Sequence, residues 1–208
     1  VRTSRQGRAN RARKVRVAFD DGTELETSRD VLVALGLPPD GGDTPHPASA
    51  RPSISEVEPE CARLRALRLV THRERSRQEL ARRMDQDGYP SAVVEPLIAH
   101  LTDLGLLDDM RFAGVFARSR VSSGWGRSRI QRALCQEYAV DADTVAEALA
   151  EACPLDDEDA RALELIGSRA LATPKDRDRV LRLLIRRGFT YSQARSAIDA
   201  STRARSES

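Results

Sequence analysis

Two groups of carboxylates are the first residues in this chain whose types could do chemistry. Asp108-Asp109 could hold a divalent cation, and Asp156-Asp157-Glu158-Asp159 could supply a general acid and base. Both groups stand just before helical stretches, where acids accept hydrogen bonds from free backbone amides and meet the positive end of the helix dipole. Asp108-Asp109 therefore reads as a cap, and residues 156–159 as a solvated acidic turn. His46, His72 and His100 are scattered, with no nucleophile or acidic orienter at motif spacing and no grouping for zinc. Cys61, Cys135 and Cys153 form no C-x-x-C pair and read as reduced thiols. Neither G-x-x-x-x-G-K-[ST] nor G-x-G-x-x-G occurs, so no phosphate loop is present. These residues describe no enzyme, no metal site and no cofactor site.

The arginines carry a stronger signal. The net charge is +2, yet the charges are segregated along the chain. Residues 1–16 hold seven bases and no acid, residues 17–60 ten acids against two bases, and residues 140–160 eight acids and no base. Between them Arg111, Arg118, Arg120, Arg127, Arg129 and Arg132 fall in a stretch without a carboxylate. Arg118 and Arg120 close one helical stretch, and Arg127 and Arg129 open the next. Ser122-Ser123-Gly124-Trp125-Gly126 separates them and contains the single tryptophan. Flanked by glycines, Trp125 reads either as a surface anchor or stacking platform, or as a plug folded back between helices. Arginines at a helix start oppose the dipole by about 0.3–1 kcal/mol unless an acidic partner compensates. Arg73, Arg75 and Arg77 in an earlier segment, and Arg179 and Arg186 in a later one, stand at comparable positions. A basic stripe repeated in this way suits a polyanionic or filamentous partner.

Those side chains must be positioned by a mostly helical chain. Val15, Val17 and Phe19 alternate, Asp21-Gly22 follows, and Thr23, Leu25 and Thr27 alternate again, which predicts a β-hairpin. Ser28 can cap a short helix over Arg29–Leu35. From about residue 57 onward the apolar spacing is helical, with Ser76 and Glu79 as a capping box. Leu80, Ile130 and Val180 recur at a spacing of 50 residues, as do Met84, Leu134 and Leu184. The same spacing aligns Gly88, Tyr138 and Gly188, then Tyr89, Ala139 and Phe189. The expected organisation is a disordered basic arm (1–13), a hairpin–helix extension (14–36) and a Pro/Gly-rich linker (37–56). Three-helix repeats follow at 57–109, 110–155 and 156–203, then a tail (204–208). The fold class is all-α, an elongated curved array in which stacked repeats extend one core. No apolar run approaches 18 residues, and no apolar segment follows the N-terminal charges, so a cytoplasmic protein off the membrane is expected.

Three stretches resemble the RecX family, bacterial regulators of the RecA recombinase. Arg73-Glu74-Arg75-Ser76-Arg77-Gln78-Glu79-Leu80 is similar to its R-x-R-S-x-x-E-L signature. Leu107-Asp108-Asp109-Met110-Arg111-Phe112-Ala113 resembles its L-D-D-x-x-F/Y-A junction, and Gly124-Trp125-Gly126-Arg127-Ser128-Arg129-Ile130 its G-x-G-x-x-R-I turn. The resemblance spans about residues 60–203. It departs from the family at Arg127, where many members have proline, and at Tyr138-Ala139-Val140, where a glycine is usual. It implies a non-enzymatic monomer that binds RecA filaments on DNA and restrains strand exchange and ATP hydrolysis, with single- or double-stranded DNA as a further partner. The residues themselves leave open a free-standing helical nucleic-acid-binding protein, or a structural adaptor built of helical repeats.

Overall fold

The structure, a computed structural model, describes residues 13–40, 45–169 and 171–206. The expected disordered arm lies outside them, apart from Arg13, which pairs with Asp30 at 2.8 Å. The chain divides into two units at Leu107/Asp108. The first holds the hairpin extension and the first repeat; the second holds the other two repeats.

In the first unit β1 (Lys14–Ala18) pairs antiparallel with β2 (Glu24–Ser28), placing Val17 opposite Leu25 and Val15 opposite Thr27. Ser28 then caps α1 (Arg29–Ala34), its hydroxyl accepting the Asp30 N–H. A two-stranded ribbon is marginal alone. Here Val15, Val17, Phe19, Val31 and Leu32 join one core with Ile54, Ala62, Leu80 and Met84 of the first repeat.

That repeat comprises α2 (Ala50–His72), α3 (Arg77–Gln86) and α4 (Ser91–Asp103). The expected linker at 37–56 therefore ends early, because α2 starts at Ala50. Pro52 lies in the first helical turn, where the missing N–H has no intrahelical acceptor. Ile54, Glu58, Ala62, Ala66 and Leu69 form the buried stripe that fixes the helix. Residues 46–51 are tied down as well: the His46 N–H donates to Ala18 O at 2.8 Å, and the Arg51 guanidinium lies 4.5 Å over the Phe19 ring. Pro96 lies inside α4, which runs through it from Ser91 to Asp103.

The second repeat comprises α5 (Asp109–Ser122), α6 (Arg127–Arg132) with a π-helical turn over Ala133–Glu137, and α7 (Ala142–Ala152). The third comprises α8 (Glu158–Ile166), α9 (Pro174–Arg187) and α10 (Tyr191–Ser206), so the last helix runs into the expected tail. Each repeat of the second unit closes its own core, one around Phe112, Phe116, Ile130 and Leu149, the other around Ile166, Val180, Leu184 and Phe189. Within the second unit the expectation of one core extended through stacked repeats is corrected. Each three-helix repeat there buries its own set of aromatic and branched side chains.

The π-turn also corrects the repeat register. Tyr89 N donates to Met84 O and Phe189 N to Leu184 O, five residues back, but Val140 N donates to Leu134 O, six residues back. One extra residue is accommodated by the wider turn. Val140, not Ala139, is the buried counterpart of Tyr89 and Phe189. Ala139 instead takes the left-handed position, at φ 50°, that Gly88 and Gly188 occupy in their repeats. Both glycines are also approached by backbone: an added Cβ would stand 2.5 Å from Thr27 O at Gly88 and 2.7 Å from Arg129 N at Gly188.

Candidate functional site

The arginines singled out by charge fall into two populations. The first is engaged by other parts of the fold. Arg73 and Arg75 both grip the Glu79 carboxylate, and Arg75 Nε also donates to Leu69 O at 3.1 Å, near the end of α2. Burial lowers the Arg75 pKa, against the pull of Glu79. Ser76 accepts the Glu79 N–H at 3.0 Å, so this motif is the joint between α2 and α3. Nearby, Asp87 at the end of α3 holds Arg65 of α2 at 2.7 Å.

Arg127, Arg129 and Trp125 form a second joint, between the repeats of the second unit. The Arg127 guanidinium donates to Leu149 O at 2.7 Å and Cys153 O at 2.6 Å, where the C-terminal carbonyls of α7 favour a cation. Its backbone N–H donates to Glu158, 3.1 Å away. Glu158 is 1% exposed, pairs with Arg161 and receives the Cys153 thiol at 2.9 Å. Burial, with Glu158 beside it, pushes that thiol up to about 12. Arg161 also reaches Trp125 O, and Arg129 donates to Arg186 O at 3.1 Å, at the end of α9. The cost of arginines at the start of α6 is thus met internally by Glu158 and by the carbonyl ends of α7 and α9, so no external polyanion is required. The solvated reading of residues 156–159 fails for Glu158, while Asp157 and Asp159 are exposed.

Trp125 is half-buried. Arg129 lies 3.8 Å and Arg120 4.9 Å from its ring centroid, and Phe116 meets it edge-on at 6.4 Å. Arg120 also lies 4.8 Å over Phe116. Neither open platform nor full plug, the indole is a layer between an aromatic core and two guanidiniums.

The second population faces solvent. Arg77 and Arg111 are exposed, Arg111 standing 3.7 Å from Asp108. Arg118 is exposed and meets Glu151 at 3.4 Å. Arg132, Arg179 and Arg186 are exposed, and their side chains make no hydrogen bond or salt bridge among the described residues. The Arg129–Arg186 bond brings the start of α6 to the end of α9. Arg169, which the charge pattern did not single out, stands beyond α8 beside Arg179 and Arg186. Its only sequence signal was a base just past a helix end. Among the described residues no three His, Cys, Asp or Glu side chains are grouped to hold a metal, and no helix is long and apolar enough to cross a membrane.

Fold and site together define a helical-repeat protein of three-helix units, with arginines divided between internal joints and open surface. The chain belongs to the RecX family. Residues 62–101 match the first three-helix domain of RecX, and residues 108–149 the second. It is 39% identical over 151 residues to the regulatory protein RecX of Halorhodospira halophila, covering 68% of this chain and 88% of that protein. It is 33% identical over 156 residues to the Mycobacterium ulcerans protein of the same name, covering 72% and 87%. The crystal structure of RecX from Lactobacillus salivarius shares the fold, with a TM-score of 0.57 at 17% identity over 70% of this chain and 97% of that one. A second crystal structure of regulatory protein RecX gives 0.58 at 18% identity, over 90% and 99%.

Proposed function

We propose that this protein binds filaments of the RecA recombinase on DNA and restrains their ATPase and strand-exchange activity, acting by contact in the cytoplasm as a monomer. The observation that carries the reading is membership of the RecX family across both matched three-helix domains. The open arginines support it, because Arg132, Arg179 and Arg186 present positive charge, without an ion pair among the described residues, that an acidic or polyanionic assembly would complement. The buried titratable groups support action without catalysis: Glu158, Arg161 and Cys153 hold two repeats together, and a thiol raised to about 12 is a poor nucleophile at neutral pH.

The test is RecA's hydrolysis of ATP on single-stranded DNA, with increasing amounts of this protein. Hydrolysis should fall at well below one molecule per RecA monomer. No effect at equimolar protein, with folding verified by circular dichroism, overturns the assignment. Salt-dependent binding to bare DNA as tight as to filaments would favour a free-standing nucleic-acid-binding protein.

A further inference from the structure

We infer that the cleft between α9 and the segment following α8 is a docking site for an acidic protein segment carrying an apolar side chain between two carboxylates. The cleft is about 430 Å³, large enough for a few side chains. Val180 and Leu183 line its apolar surface, and Arg169, Arg179 and Arg186 line its charged part. Arg179, Leu183 and Arg186 follow one another at i, i+4 and i+7, so they share one stripe of α9. Seven residues of helix set the two arginines about 10.5 Å apart along the axis.

Charge complementarity argues for the occupant. Elsewhere in the second unit Arg127, Arg129, Arg161 and Arg187 are held by carbonyls or a carboxylate. In the cleft neither Arg179 nor Arg186 has such a partner among the described residues. Among the described residues the acid at the rim is Asp176, which is engaged by the Thr173 hydroxyl at 2.7 Å in the capping box of α9; its pKa is lowered by Thr173 and, to a lesser degree, by the field of Arg179. Two cations with no hydrogen bond or ion pair among the described residues, beside an apolar wall, focus a positive field. A nucleic-acid strand would satisfy the charge but leave the apolar wall unused, and among the described residues no aromatic ring lines the cleft to stack a base. Carboxylates two helical turns apart with a leucine between them use both features.

The inference extends the filament-binding reading by giving the chemistry of one contact, and its test uses no RecA, so the two can fail separately. The full chain is titrated into a fluorescein-labelled helical peptide with glutamates seven positions apart and a leucine between them, at about 0.15 M salt. Arg179→Glu with Arg186→Glu should weaken the peptide about tenfold, and replacing its leucine by serine should weaken it again. Arg179→Gln with Arg186→Gln supplies the milder variant should the reversal not fold, and should show a smaller loss of the same sign. Binding unchanged by either pair, or unaffected by loss of the leucine, overturns the inference. A single-stranded oligonucleotide of equal charge that binds more tightly and responds to the same substitutions would assign the cleft to nucleic acid instead.

Discussion

The carboxylate of Glu158, the first residue of α8, accepts the backbone N–H of Arg127, the first residue of α6, at 3.1 Å. An acid from the third repeat therefore caps a helix of the second. It does so while paired with Arg161 in a place where it is 1% exposed. Arginine at a helix start is tolerated because the compensating charge arrives from another element.

Glu158→Ala should consequently destabilise the second unit by about 3–5 kcal/mol, since it strands the Arg161 guanidinium away from water without its partner. Glu158→Gln, which keeps an acceptor, should cost less. Urea denaturation measures both. An unmoved midpoint for the alanine variant would show that the carboxylate is not the hub of this joint.

At the end of the π-turn, Ala139 bears a side chain at φ 50°. Left-handed backbone costs a non-glycine residue about 1–2 kcal/mol, and glycine returns roughly 0.5–1 of that through its freer unfolded chain. Ala139→Gly should therefore stabilise the protein by up to about 1 kcal/mol. Thermal melting is the measurement, and a lowered midpoint would contradict the geometry.

The two arginine populations should separate by assay. Arg127→Ala removes a cation from the carbonyls of Leu149 and Cys153 and should cost about 1–3 kcal/mol of stability. Arg132→Glu should leave the denaturation midpoint unmoved and weaken filament binding. If Arg132→Glu unfolded the protein and Arg127→Ala did not, the structural and the exposed arginine would be the reverse of those assigned by the contacts.

Trp125 offers a direct optical check, being the single tryptophan. With Arg129 and Arg120 over its ring, the local field attracts anions and repels cations. Iodide should quench its fluorescence more efficiently than caesium, and Arg129→Gln should narrow the difference. Equal quenching by the two ions would place the guanidiniums elsewhere.

Local patterns were enough to set most elements. Asp21-Gly22 between alternating runs marked the hairpin, Ser76 and Asp108 marked helix starts, and helical spacing put Leu80, Ile130 and Val180 in cores. These features depend on residues within a few positions of one another, or on a period, and both are visible in a linear chain. The start of α2 was hidden because prolines suggested a linker, while the burial of Ile54 against the hairpin outweighed that preference. The π-turn was hidden because adding one residue leaves the 50-residue columns intact up to Leu134.

Charge pattern by itself determined that arginine would matter, and the ordered motifs determined the family. Which arginines face outward was decided by tertiary structure alone. Arg127 and Arg132 lie in the same short helix and look alike in sequence. One reaches the carbonyl end of α7, and the other is exposed, with no side-chain partner among the described residues. The partners that neutralise Arg127 and Arg129 come from residues 22 to 57 positions away, Leu149, Cys153, Glu158 and Arg186. A guanidinium's role follows from the field where its end comes to rest, and packing between helices sets that place.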